Sequence, residues 1–238
     1  MLMAFIICFI ITTGIGIYLA WIRGWPILIF GLFGVFCSIF YTMPPISYSH
    51  HGLGELSLLV NFGTIIGLGS YFVQAHKFSL EAFLSTLPMG IMLFSMIVIN
   101  EIPDYETDKM AGKLTLVARY GKKAGIKFYI LSWICTYSVI IGAVALQFIP
   151  MLSVISLASM PLAYRSIEFL KRRYNSPTEL APANLDMIKA HSVTCIGLIA
   201  AYALQGLING ANALQLAIII LILVGFYAPA AIPLLRKQ

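Results

Sequence analysis

The chain has 238 residues and a formal net charge of +6, yet 60% of its residues are hydrophobic and only 10% are charged; its mean hydropathy is +0.93. No water-soluble domain of this size needs so much apolar surface, so the composition predicts an all-α polytopic membrane protein. The positive balance then calls for an explanation from membrane topology, and no nucleic-acid partner is needed.

Apolar runs long enough to span a bilayer, about 17 to 25 residues, lie near Leu2 to Trp21, Pro26 to Tyr41, Leu56 to Val73 and Ala82 to Asn100. Four more follow near Ile126 to Gln147, Met151 to Ile167, Ser192 to Ile208 and Leu214 to Leu235. About eight transmembrane helices are expected, within a range of seven to nine, forming a single domain over residues 1–238. The second run is short, and Gln205 to Asn212 reads either as a loop or as helix interior. The first run has no positive leading region and no small-residue cleavage site, so it reads as a membrane helix and not as a removable signal peptide. Cys8, Cys37, Cys135 and Cys195 all fall inside apolar runs without close spacing and read as small core residues, not as a metal or disulfide framework.

Eight helices put both termini on one side of the membrane. That side receives Lys109, Lys113, Arg119, Lys122, Lys123 and Lys127 in one loop, Arg165, Lys171, Arg172, Arg173 and Lys189 around another, and Arg236 and Lys237 at the end. The other side keeps Arg23 and Lys77. Such a bias marks the basic side as cytoplasmic, so an integral protein of the cell (inner) membrane is expected, with three cytoplasmic loops: Tyr41 to Glu55, Asn100 to Gly121 and Lys171 to Ala190.

The stretch from Asn100 to Lys113 sets Glu101, Asp104, Glu106 and Asp108 against the end of an apolar helix, and ionisable clusters in such places are candidate functional sites. Asn100, Asp104 and Asp108 fall at i, i+4 and i+8, on one helical face, which Glu101 joins at i−3 from Asp104. Carboxylates at this spacing suit a hard divalent cation, and magnesium favours a few oxygen ligands completed by water and phosphate. Lys113, Arg119, Lys122 and Lys123 follow as cations able to hold phosphate oxygens. Acids and then bases at a membrane face fit a magnesium-bound lipid-linked diphosphate. Pro103 is expected to end the membrane helix near Asn100 and to start a short helical turn that Gly112 closes.

The string Asn100-x-x-x-Asp104-x-x-x-Asp108-x-x-x-Gly112-Lys113-x-Thr115-Leu116, followed by Arg119-Tyr120-Gly121, closely resembles the second aspartate-rich motif of the UbiA-type intramembrane prenyltransferases. Tyr41-Thr42-x-Pro44-Pro45, Gly52-Leu53-Gly54-Glu55-Leu56, Phe62-Gly63 and Tyr71-x-x-Gln74 are further matches, most like the branch that prenylates 1,4-dihydroxy-2-naphthoate in menaquinone synthesis. The resemblance is strong to about Lys123 and continues beyond it only as a hydropathy pattern. It implies a UbiA-like helical bundle that transfers a polyprenyl group from its diphosphate to an aromatic acceptor. It further implies Asp104 and Asp108 as the catalytic magnesium ligands, Asn100 as a polar neighbour, Lys113 and Arg119 as diphosphate-binding residues, and Thr115 and Leu116 as structural parts of the motif. Tyr71 and Gln74, at i and i+3, could line an acceptor pocket, or Tyr71 could belong to the aromatic belt.

Two departures stand beside these matches. Leu114 occupies a position where the family often has a basic residue, and the family's first aspartate-rich motif has no counterpart, since no acidic residue precedes Glu55. The first run matches what would be the family's third helix, so the usual first helices are missing. A shortened gene product, half of a split enzyme completed by an N-terminal partner chain, and a non-catalytic diphosphate-binding relative all fit that pattern. A small transporter fits less well, because paired interrupted helices are not seen. Glu55 could offer a facing carboxylate, or it could be a first-turn helix residue. His50 and His51 read as interfacial loop residues, His191 with Asp186 and Lys189 as a polar collar before a membrane helix, and Asn61 as a residue that needs a partner inside the membrane.

Overall fold

The computed structural model describes residues 2–210. Seven of the eight expected spans fall there and all seven are helical; the eighth, Leu214 to Leu235, lies outside the described residues, as do Arg236 and Lys237. No strand occurs among the described residues.

Helix α1, Leu2–Arg23, is apolar on every side. It turns at Gly24, whose φ of 93° suits glycine, into α2, Trp25–Phe40, with Pro26 in the first turn. The loop to the next helix holds a short 3-10 turn, Tyr48–His51. The loop is tied down by Tyr48, whose hydroxyl reaches the Cys37 carbonyl at 2.6 Å and Ser57 at 2.9 Å.

The third span is made of α3, Gly54–Val60, a π-helical turn, Asn61–Ile65, and α4, Ile66–Ala75. The extra residue of a π turn is a local distortion with an identifiable cause. Here Gly63 meets Gly90 of α5, Leu80–Met110. A Cβ on Gly90 would stand 2.3 Å from the Leu59 carbonyl oxygen, so neither backbone could approach as closely with a larger residue. Asn61 bonds within its own span, to the Ser57 carbonyl at 2.8 Å and the Ser57 hydroxyl at 3.0 Å.

Helix α5 corrects the expectation at Pro103. Its 31 residues run without interruption through both Pro88 and Pro103. Proline removes one N–H and crowds the preceding turn, but Val98, Ile99 and Ile102 beside it are fully buried, and packing on both flanks overrides that local cost. At a rise of 1.5 Å per residue the helix is about 46 Å long, more than the roughly 30 Å hydrocarbon layer. Its acidic end therefore emerges as helix. Gly112, at φ 70°, closes it, with the Gly112 and Lys113 N–H groups bonded to the Lys109 and Asp108 carbonyls.

Beyond it come α6, Leu116–Tyr120, capped by the Thr115 side chain through the Ala118 N–H, and α7, Lys122–Ala145. Helices α5 and α7 form the centre of the core with Met92, Ile99, Tyr129 and Trp133. The sixth span starts as a 3-10 segment, Met151–Ser159, and continues as α8, Met160–Arg173. After a 3-10 turn at Pro177–Glu179, α9 runs over Ala181–Ile208, starting eleven residues before the expected Ser192. Pro182 sits in its first turn and initiates it. His191 consequently lies within the helix, 3.7 Å from Cys195, instead of forming a collar before it.

Candidate functional site

Three loops meet at one end of the bundle: the segments 41–53, 111–121 and 174–180. Helix α5 ends among them, and its last turns form the floor of a polar cavity of about 420 Å³. Asn100, Glu101 and Asp104 line it from α5, Lys113 and Thr115 from the segment that follows, and Tyr41, His50 and Glu55 from the facing loop.

The expected residues separate into two groups. Asn100, Asp104 and Lys113 line the cavity. Asp108, one turn beyond Asp104, is held beside it by Lys113, whose Nζ stands 3.4 Å from each carboxylate oxygen. Asn100 accepts a hydrogen bond from Asn184 of α9 at 2.8 Å, which ties α9 to this end of α5. Arg119 is placed differently: its Nη2 donates to the His51 carbonyl at 2.8 Å, across the loop junction and away from the cavity. Tyr71 and Gln74 lie at the other end of the third span. Sixteen residues separate Tyr71 from Glu55, about 24 Å of helix, and the Gln74 amide turns back to the Ser70 carbonyl at 3.4 Å.

Two carboxylates gain weight in the folded chain. Glu55 and Glu101 are only 1% and 6% exposed; they come from sequence-distant elements and face each other at the back of the cavity. Glu55 Oε1 accepts the Leu116 N–H at 2.8 Å, and Glu101 Oε2 accepts the Val117 N–H at 3.4 Å. Tyr41 stands next to them, and its phenol pKa is pushed up by burial first and then by the charges of Glu55 and Glu101. It therefore remains a neutral donor on the cavity wall. The helical register already placed Glu101 on the acidic face, but the meeting with Glu55 depends on tertiary packing and has no periodic signal.

Among the described residues no three His, Cys, Asp or Glu side chains stand close enough to hold a metal unaided. The donors present are nevertheless hard oxygens lining a cavity, and they fit a cation that keeps several waters or phosphate oxygens in its shell, as magnesium does.

The family model described as "UbiA prenyltransferase family" matches residues 2–188. The chain belongs to the UbiA prenyltransferase family. A 1,4-dihydroxy-2-naphthoate octaprenyltransferase of Bacillus subtilis is 28% identical over 130 residues, 55% of this chain and 42% of that protein. A 2-carboxy-1,4-naphthoquinone phytyltransferase of Synechocystis is 24% identical over 185 residues, 78% and 60% of the two chains. The 1,4-dihydroxy-2-naphthoate octaprenyltransferase of Haemophilus influenzae is 30% identical over 161 residues, 66% and 52%. This UbiA-family chain spans about half the length of the curated relatives it matches. No solved structure matches it.

Proposed function

We propose that the cavity binds a polyprenyl diphosphate and that the protein transfers its prenyl group to an aromatic acceptor of the naphthoate class. The observation that carries this reading is the meeting of Asp104 and Lys113 on the lining of one cavity, with Asp108 paired to Lys113 and oxygen donors on the other walls. The names of the relatives support the acceptor class.

Asp104 and Asp108 would hold magnesium, which when bound would neutralise charge on the leaving diphosphate. The chain's own side chains provide the remainder of the chemistry. The Lys113 ammonium is paired with Asp108 and can turn to a phosphate oxygen without crossing the cavity. The neutral Tyr41 hydroxyl and the free N–H of the Asn100 amide are donors for substrate oxygens on opposite walls. The allylic C–O bond breaks with the electron pair leaving on the diphosphate, an aromatic carbon forms the new C–C bond, and the ring regains aromaticity by losing the substituent or proton at that carbon. The reading assigns Arg119 a structural part in the loop junction, and gives Tyr71 and Gln74 no part at the cavity.

The cavity end faces the cytoplasm in this proposal. Among the described residues it carries six basic residues in 109–127 and five in 165–189, eleven in all, against Arg23 and Lys77 at the other end. The test is magnesium-dependent transfer of a radiolabelled prenyl group in membranes containing the chain. Transfer that survives Asp104→Ala and Asp108→Ala unchanged would remove these residues from the mechanism, and diphosphate binding without transfer would make the chain a binding subunit.

A further inference from the structure

Burying two carboxylates side by side is costly, because each loses water and each repels the other. Glu55 and Glu101 are nonetheless, with Asp186, the buried acidic residues among those described. Glu55 Oε2 is buried and accepts no backbone or hydroxyl donor, and its neighbour Glu101 is held protonated, its carboxyl pushed up to about 9 by burial first and then by its hydrogen bond to Glu55. What offsets the cost is visible in the bonds they make. Each accepts one of two consecutive backbone N–H groups, Leu116 and Val117, at the start of α6. Two further bonds join the same segments: the Leu114 N–H to the His50 carbonyl at 2.9 Å, and Arg119 Nη2 to the His51 carbonyl at 2.8 Å. Gly52, at φ 72°, permits the contact, since a Cβ there would stand 3.0 Å from the Leu114 carbonyl oxygen. Three of these bonds thus staple residues 50–55 to the 114–119 segment, the fourth ties that segment to α5 through Glu101, and Lys113 leaves that staple directly toward Asp108.

We propose that Glu55 and Glu101 are positioning residues: without touching the substrate, they fix the start of α6 and thereby hold the Lys113 ammonium over the cavity. The proposal deepens the diphosphate reading and rests on it for the role of Lys113, while the staple itself can be tested without any substrate.

The experiment uses the purified chain in nanodiscs, as wild type, Glu55→Ala, Glu55→Gln and Glu101→Gln. Amide hydrogen exchange over residues 114–119 is measured without ligand, and binding of radiolabelled geranylgeranyl diphosphate is measured with magnesium. Glu55→Ala removes the acceptor of the Leu116 N–H, so exchange should quicken and diphosphate affinity should fall, each by about tenfold or more. The two glutamine variants keep an amide oxygen for the backbone N–H and an amide group able to bond across the pair, so both readouts should stay within about threefold of wild type. Glutamine variants that lose diphosphate binding while exchange stays unchanged would make the carboxylates ligands and overturn the proposal. So would a Glu55→Ala protein that matches wild type in both readouts. Should Glu55→Ala fail to fold, the glutamine variants decide by the same criteria. Should wild type bind no diphosphate, the functional reading fails, and exchange in Glu55→Ala alone judges the staple: unchanged exchange overturns it.

Discussion

Helices α1 and α5 are both apolar and both long enough to cross a bilayer, yet they are stabilised in opposite ways. Among the described side chains of α1 none is buried, and its one bonded hydroxyl, Thr12, turns back to the carbonyls of Cys8 and Phe9 in the same helix. Helix α5 buries ten residues. It touches α3 through Gly90, α7 through the Ser95–Ser132 pair, and α9 through Asn100. In a bilayer the hydrophobic effect does not distinguish lipid from a neighbouring helix, so association depends on close packing and on hydrogen bonds between helices. The contrast teaches that α1 is specified by composition alone, whereas α5 is specified by particular partners. The candidate site has formed where the second kind of helix leaves the membrane.

Substitutions sharpen this contrast, and the largest effect is expected at the centre of the α5–α7 core. Trp133→Ala removes a ring stacked on Tyr137 at 5.6 Å between centroids and should destabilise the protein by about 3 kcal/mol, measured as a lowered unfolding midpoint in mild detergent. Gly90→Val forces a side chain against the Leu59 carbonyl and the Gly63 backbone, and about 1–3 kcal/mol should be lost by overpacking; a stability equal to wild type would mean that the α3–α5 crossing is not tight. Tyr129→Phe deletes the buried bond to Ser166, 2.6 Å long, for which about 0.6 kcal/mol is the expected loss in the same unfolding assay. Ile10→Ala on α1, a residue 64% exposed, should change stability by no more than about 0.5 kcal/mol. A larger loss there than at Tyr129 would break the comparison.

Much of this molecule is written in local pattern. Apolar length located the seven spans that the structure describes, and the i, i+4, i+8 spacing gathered Asn100, Asp104 and Asp108 on one side of α5. Local rules failed where packing outvoted them. Pro103 reads as a helix end but is carried through by buried neighbours, and His191 reads as a collar but lies inside a helix that begins at Ala181. Tyr71 and Gln74 share a helix face with each other but not an end of the membrane with the acids. The Glu55–Leu116 bond joins residues 61 positions apart, and no window of sequence contains both partners.

Magnesium-dependent binding of a polyprenyl diphosphate by the purified chain tests the central claim most directly. Titration of a labelled geranylgeranyl diphosphate should give saturable binding with magnesium present, and binding should be lost on chelation and weakened by about 100-fold or more in the Asp104→Ala, Asp108→Ala double variant. Saturable binding that persists in the double variant, or that ignores chelation, would contradict the assignment of the α5 end as the diphosphate site.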